Sequence, residues 1–334
     1  MSRKENNKKK HPVLKAVGIT AGCTAAAYGG YAYWLFRQAF DNENSRFVLP
    51  FDQNRTNDER NDEWWRNSDK SEEELTSFDG LSLHAYKLIG HPESHKWLIV
   101  QHGFHQCTRD MLNVLYEANE RGFNLLAPDS RGCGASFGRY TGLGWPEHYD
   151  LISWIGRVIQ LDKEAEIALY GVSCGAAAIL NASGDYLPAN VKCAVSDSAY
   201  SDLKEEIVYV ADQYSDIPSR PFMPAVDLYL QAFVHYSMNE VSTLRQLTMS
   251  EIPSLFIHGE ADRTVPARMV HELYGACAAE KEIWTVPGAD HMQAQYQEGY
   301  YDRVFSFIEK HLAAAASPEA EGTEELVLTD NSDL

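Results

Sequence analysis

Three residues far apart in the chain carry groups that together make a nucleophilic relay. They are Ser173 in Gly171-Val172-Ser173-Cys174-Gly175, Asp262 in "FIHGEADRTVP" and His291 in "TVPGADHMQ". A serine hydroxyl is a weak nucleophile until a neighbouring base accepts its proton, and that base must itself be held in one orientation. The pentapeptide fits G-x-S-x-G, follows the apolar run "EIALYGV" and precedes the helix-compatible "AAAILNAS". Such a context predicts a sharp strand-to-helix turn presenting Ser173 as nucleophile, with His291 as base and Asp262 as acid. Cys174 is expected to turn its thiol away and offer its backbone N–H to an oxyanion, joined by the backbone N–H of Phe104 in His102-Gly103-Phe104, where Gly103 lets the loop pass close. A Cys174 nucleophile and a glycine-rich turn without chemistry remain as alternatives. Asp197, Glu260 and Asp290 compete for the acid role, Asp197 most seriously because it ends an earlier strand.

Other chemistries find less support. His102, His105 and His258 have no carboxylate or cysteine at ligand spacing, so no metal is expected. "RGCGASFG" lacks the last glycine of G-x-G-x-x-G and fails as a dinucleotide loop, so no cofactor is expected. The six cysteines include no C-x-x-C pair and read as small apolar fillers. A formal net charge of -19 repels phosphate backbones and argues against nucleic acid as a partner.

The elements that must position these residues begin near Glu74. "ELTSFDGLSLHAYKLIG" reads as two strands around a tight turn at Asp79-Gly80. Six short apolar runs follow, "KWLIVQHG", "FNLLAPD", "EIALYGVS", "VKCAVSDS", "SLFIHGEAD" and "EIWTVPGADH", each followed by helix-compatible sequence. This alternation predicts an α/β fold with a mostly parallel central sheet, helices on both faces, and functional groups at the carboxyl ends of strands. Between the sixth and seventh strands, about residues 200–250 are helical in pattern and too long for a simple connection, so they predict a small helical cap. Tyr209, Tyr214, Phe222, Met223, Tyr229, Phe233, Tyr236 and Met238 there either line an apolar substrate pocket or pack the cap onto the core.

"HGF", "PDSRGCGAS", "GVSCG", "HGEADRTVP" and "GADH" together resemble the α/β-hydrolase superfamily, in particular a bacterial membrane-anchored branch similar to YqkD-type and serine-aminopeptidase-like hydrolases. The resemblance spans roughly Glu74 to Leu312. It implies Ser173, Asp262 and His291 as the triad, Phe104 and Cys174 as oxyanion donors, and a small-molecule ester or acyl substrate cleaved through an acyl-enzyme. A serine peptidase, a thioesterase and a catalytically silent tethered binding protein are the alternatives.

Ahead of this region, residues 1–15 form a basic tail. Ala16 to Phe36 is an uncharged run of 21 residues, about 31 Å as a helix, closed by Tyr31, Tyr33, Trp34 and Phe36. It predicts a single-pass anchor in the cell membrane, with the N-terminus cytoplasmic and the catalytic domain outside the cytoplasm. A cleavable signal near Ala25 to Ala27 and a lipoprotein-like "TAGC" are weaker readings. Gly18, Gly22, Ala26 and Gly30 line up on one face and suggest weak dimerisation of the anchor. Residues 37–73 read as a linker or stalk, 74–312 as the catalytic domain, and 313–334 as an acidic disordered tail.

Overall fold

The computed structural model describes residues 11–45 and 58–316. Residues 1–10 of the basic tail, 46–57 of the predicted stalk and 317–334 of the acidic tail lie outside the described residues. Eight strands form one sheet: β1 (Lys70–Thr76), β2 (Ser82–Leu88), β3 (Lys96–Gln101), β4 (Asn124–Pro128), β5 (Glu166–Val172), β6 (Val191–Asp197), β7 (Ser254–Gly259) and β8 (Lys281–Val286). Their spatial order is β1-β2-β4-β3-β5-β6-β7-β8. β2 runs antiparallel to β1 and β4, and every other neighbouring pair is parallel.

Side chains alternate across each strand, so a strand buried on both sides has to be apolar throughout. β3 does this. Leu98 and Val100 join Leu125, Tyr170 and Val172 on one face, while Trp97 and Ile99 join Leu126, Ile167 and Leu169 on the other. α3 (Leu112–Glu120) and α10 (Tyr300–Ala316) cover the first face through Leu115, Val304 and Ile308. α4 (Pro146–Leu161) and α5 (Cys174–Ala182) cover the second through Trp154, Ile155 and Ile179. Between β6 and β7 the chain forms the helical cap: α6 (Leu203–Tyr214), α7 (Met223–Phe233) and α8 (Thr243–Met249), with a short 3-10 turn before α7, and α9 (Arg268–Ala276) follows β7. Asp202 caps α6 by accepting a hydrogen bond from the Glu205 N–H at 2.8 Å.

The N-terminal segment corrects the membrane expectation. Among the described residues, no helix is long and apolar enough to cross a membrane. Residues 16–36 belong to a longer helix, α1 (His11–Phe40), and its last turns are buried by protein. Ala32, Leu35, Phe36, Ala39 and Phe40 pack in one cluster with Ile207, Val226 and Leu230 of the cap. The aromatic closure is a packing surface as well: Tyr31 meets Phe222 edge-on at 4.7 Å, and Phe36 lies 5.6 Å from Phe233. Gly and Ala dilute the rest of the run, so its only strongly apolar end is spent on this contact. With the anchor go the cell-membrane placement, the catalytic domain outside the cytoplasm, and dimerisation through the small-residue face. Beside that face, the Gly29 carbonyl instead accepts a hydrogen bond from the Tyr229 hydroxyl of the cap at 3.2 Å.

The described parts of the predicted stalk are docked too. Asp41, fully buried, accepts from Arg139 at 2.9 Å and pairs with Arg37 at 2.6 Å. α2 (Glu59–Asn67) buries Trp65 against Tyr86 and sets Trp64 edge-on to Tyr116. The sheet thus starts at Lys70, before the predicted boundary at 74, and α10 continues past 312 to Ala316.

Candidate active site

β5 ends at Val172 and α5 begins at Cys174, leaving Ser173 alone to make the turn with φ 54° and ψ -123°. A non-glycine residue there is strained by roughly 1–3 kcal/mol. Close packing imposes the strain. A Cβ on Gly171 would lie 2.8 Å from the Ala176 nitrogen, and one on Gly175 would lie 2.4 Å from the His102 carbonyl oxygen. Ser173 N–H donates to the Asp197 carbonyl at 2.8 Å, tying the turn to β6.

The loops after β7 and β8 lean on one another at the same end of the sheet. The Ala261 N–H donates to the Ala289 carbonyl at 2.9 Å, and a Cβ on Gly259 would lie 2.3 Å from that carbonyl oxygen. This contact brings Asp262 and His291 together: His291 Nδ1 lies 2.7 Å from Asp262 Oδ2, and His291 Nε2 lies 3.0 Å from Ser173 Oγ. An ionised carboxylate only accepts, so Nδ1 carries the proton and Nε2 is left to accept from the serine hydroxyl. His291 is fully buried and Ser173 nearly so.

Asp262 is held on every side. Its Oδ1 accepts the backbone N–H groups of Thr264 and Val265, both at 2.8 Å, and Oδ2 receives a second imidazole, His258 Nε2, at 3.2 Å. Burial alone would push this carboxyl up, yet the flanking His291 and His258 hold it well below the ordinary carboxylate range. The other weighed carboxylates are engaged elsewhere. Asp197 accepts from the Tyr300 hydroxyl at 2.7 Å and the Ser198 hydroxyl at 2.8 Å, and burial pushes its carboxyl up. Asp290 is clasped by Arg263 Nε at 2.7 Å, and Glu260 accepts from Thr285 at 2.9 Å.

Phe104 and Cys174 border the same pocket as Ser173. As the first residue of α5, Cys174 contributes one of the leading N–H groups that a helix leaves without an internal partner. Burial, reinforced by Glu147, pushes its thiol up, which disfavours a thiolate nucleophile. Gly103 packs tightly under Ser173, since a Cβ there would lie 3.2 Å from Ser173 Cβ and 2.7 Å from Gln106 Oε1. His102 fastens this loop: it accepts the Ser130 N–H at Nε2 (2.9 Å), so Nδ1–H donates to the Gly103 carbonyl at 2.8 Å. Among the described residues no group of histidine, cysteine and acid side chains is arranged to hold a metal.

The pocket has a volume of about 60 Å³, with Ala39, Leu143, Ile207 and Val210 among its apolar walls and Glu206 as an acidic one. The eight cap residues that could either line a pocket or pack the cap are not among those lining this one. Met223, Tyr236 and Met238 are buried in the cap cluster, Phe222, Tyr229 and Phe233 pack against α1, and Tyr209 and Tyr214 are exposed. Leu143 is held in a left-handed conformation (φ 51°) by Glu147, whose carboxylate accepts the Gly142 and Gly144 N–H groups at 2.6 and 2.8 Å. Sequence reasoning missed Ala39, Glu206, and His258 as a partner of Asp262. Only the i, i+4 spacing of His258 and Asp262 was a usable signal.

The comparisons agree with this architecture. A family model described as the alpha/beta hydrolase fold matches residues 96–216. YqkD of Bacillus subtilis is 26% identical over 222 residues, which cover 65% of this chain and 71% of that one. Proline iminopeptidase of Clostridioides difficile is 30% identical over 131 residues, covering 38% of this chain and 43% of its own. The solved structure of the Pyrococcus furiosus esterase Pf2001 superposes with a TM-score of 0.61 at 22% identity, covering 73% of this chain and 93% of that one. The likeness is one of fold: the chain has the α/β-hydrolase fold.

Proposed function

We propose that this protein is a serine hydrolase that cleaves carboxylic esters of short, largely apolar acyl groups through an acyl-enzyme. The observation that carries the reading is the unbroken chain of contacts from Asp262 Oδ2 through His291 to Ser173 Oγ, at 2.7 and 3.0 Å. Ser173 Oγ attacks the ester carbonyl carbon while its proton passes to His291 Nε2, and Asp262 holds the imidazole and offsets the charge it gains. The oxyanion is received by the backbone N–H groups of Phe104 and Cys174. Collapse of the adduct expels the alcohol, which takes the proton from His291. Water then repeats the sequence on the acyl-serine and releases the acid.

Pocket size supports a short acyl group. At roughly 10–15 Å³ per water-sized sphere, about 60 Å³ accommodates on the order of four to six non-hydrogen atoms. The similar proteins include an esterase and a proline iminopeptidase, so esters and amides are both to be assayed.

A fluorophosphonate probe tests the reading. Labelling is expected to vanish in Ser173→Ala and persist in Cys174→Ala, with p-nitrophenyl acetate and butyrate turned over by the unmodified protein. An absence of labelling in folded protein would refute it, and faster release from peptide amides than from esters would move the assignment to a peptidase.

A further inference from the structure

Glu206 lies in the first turn of α6 and borders the pocket that holds Ser173. Its side chain is buried, with only 9% exposed, and Oε2 has no hydrogen-bond partner. Buried polar atoms are nearly always paired, and an unpaired one set in the wall of a substrate pocket gains its partner when the pocket fills. Around it the walls are Ala39, Ile207 and Val210. The charged groups that act on it are Asp262 and Arg268, and the Arg268 guanidinium is already engaged with Glu272 at 2.7 Å. Burial, with Asp262 adding to it, pushes the Glu206 carboxyl well up, and in either protonation state its oxygens can accept from a hydroxyl.

We propose that Glu206 is a specificity residue whose carboxyl hydrogen-bonds a hydroxyl on the acyl chain, making esters of short hydroxy acids the preferred substrates. This rests on the hydrolase reading above and names its substrate class. A neutral hydroxyl suits the site because an ion would have to leave water for a pocket that is otherwise largely apolar. A three-carbon chain with one hydroxyl, beyond the carbonyl carbon, has the size the pocket admits.

The test compares kcat/KM for p-nitrophenyl butyrate, 3-hydroxybutyrate and 3-aminobutyrate in the unmodified protein and in Glu206→Leu and Glu206→Gln. The unmodified protein is expected to favour the hydroxy ester over butyrate by about tenfold or more, because a site built to pair a hydroxyl discriminates against the analogue lacking it. Glu206→Leu should reverse that preference and Glu206→Gln should retain part of it. A hydroxy-to-plain ratio unchanged in folded Glu206→Leu would overturn the proposal and leave Glu206 a structural group. Preference of the unmodified protein for the plain or the amino ester would also overturn it, whether or not the variants fold. Failure to turn over any of the three, together with absent fluorophosphonate labelling, would instead sink the hydrolase reading itself.

Discussion

His258 Nε2 lies 3.2 Å from Asp262 Oδ2, the same oxygen that His291 Nδ1 contacts at 2.7 Å. His258 Nε2 also faces the Val265 carbonyl at 3.0 Å, so it carries the proton and donates to both acceptors. One carboxylate oxygen therefore serves two imidazoles, and the second draws charge away from the first.

Removing that competing donor should make Asp262 a stronger partner for His291. His258→Leu is expected to move the acid limb of the kcat/KM profile upward by a few tenths to about one pH unit. His258→Gln, which keeps a donor, should shift it less. A pH–rate profile measured on both variants checks this, and an unmoved limb in folded His258→Leu would count against it.

Asp262 and Asp197 should separate cleanly on isosteric substitution. Asp262→Asn is expected to lower kcat by about 10³–10⁴-fold, through loss of the tautomer that leaves Nε2 free. Asp197→Asn keeps its shape next to Tyr300 and Ser198 and should stay within about tenfold of the unmodified rate. Steady-state kinetics with thermal unfolding of each variant distinguish lost chemistry from lost fold.

Acid stability carries the same signature. The Asp262 carboxyl is depressed in the folded state, so the stability it contributes is complete above its unfolded value of about 4 and is lost as pH falls below that. Asp262→Asn should flatten the decline in unfolding free energy below about pH 4. Denaturant melts from pH 3 to 7 measure the slope.

Gly103→Ala should damage catalysis more than binding. The added Cβ meets Gln106 Oε1 at 2.7 Å and Ser173 Cβ at 3.2 Å, which forces the Phe104 segment away from Ser173. A loss of about 10²-fold in kcat with little change in KM is expected, the scale of one misplaced oxyanion donor.

α1 should behave as part of the catalytic body. Phe36→Ala, at a fully buried position in the α1–cap cluster, is expected to destabilise the docked helix by about 3–5 kcal/mol, seen as faster hydrogen exchange in α1 and α7. Ala39→Leu, in the pocket wall, should slow p-nitrophenyl butyrate more than acetate. Equal slowing of both esters would separate Ala39 from acyl-chain selection.

Local signals in the chain were enough for the strands, the strand-to-helix turn at Ser173 and the presence of a helical cap. Each rests on residues close in sequence: uninterrupted apolar runs for a sheet covered twice, glycines flanking one serine, and a helical pattern too long for a loop. The order Ser173, Asp262, His291 was likewise legible, whereas the 2.7 and 3.0 Å contacts among them depend on how the loops after β7 and β8 lean together. Burial partners were not legible. The apolar end of α1 carries the same residue types whether lipid or protein covers it, and only the tertiary structure decided for the cap, placing Ala39 in the pocket and Asp41 under Arg139. The same holds for Glu206 and His258, whose roles come from neighbours brought near by folding, because hydrophobic burial is non-directional and leaves no mark in the sequence of which surface will provide it.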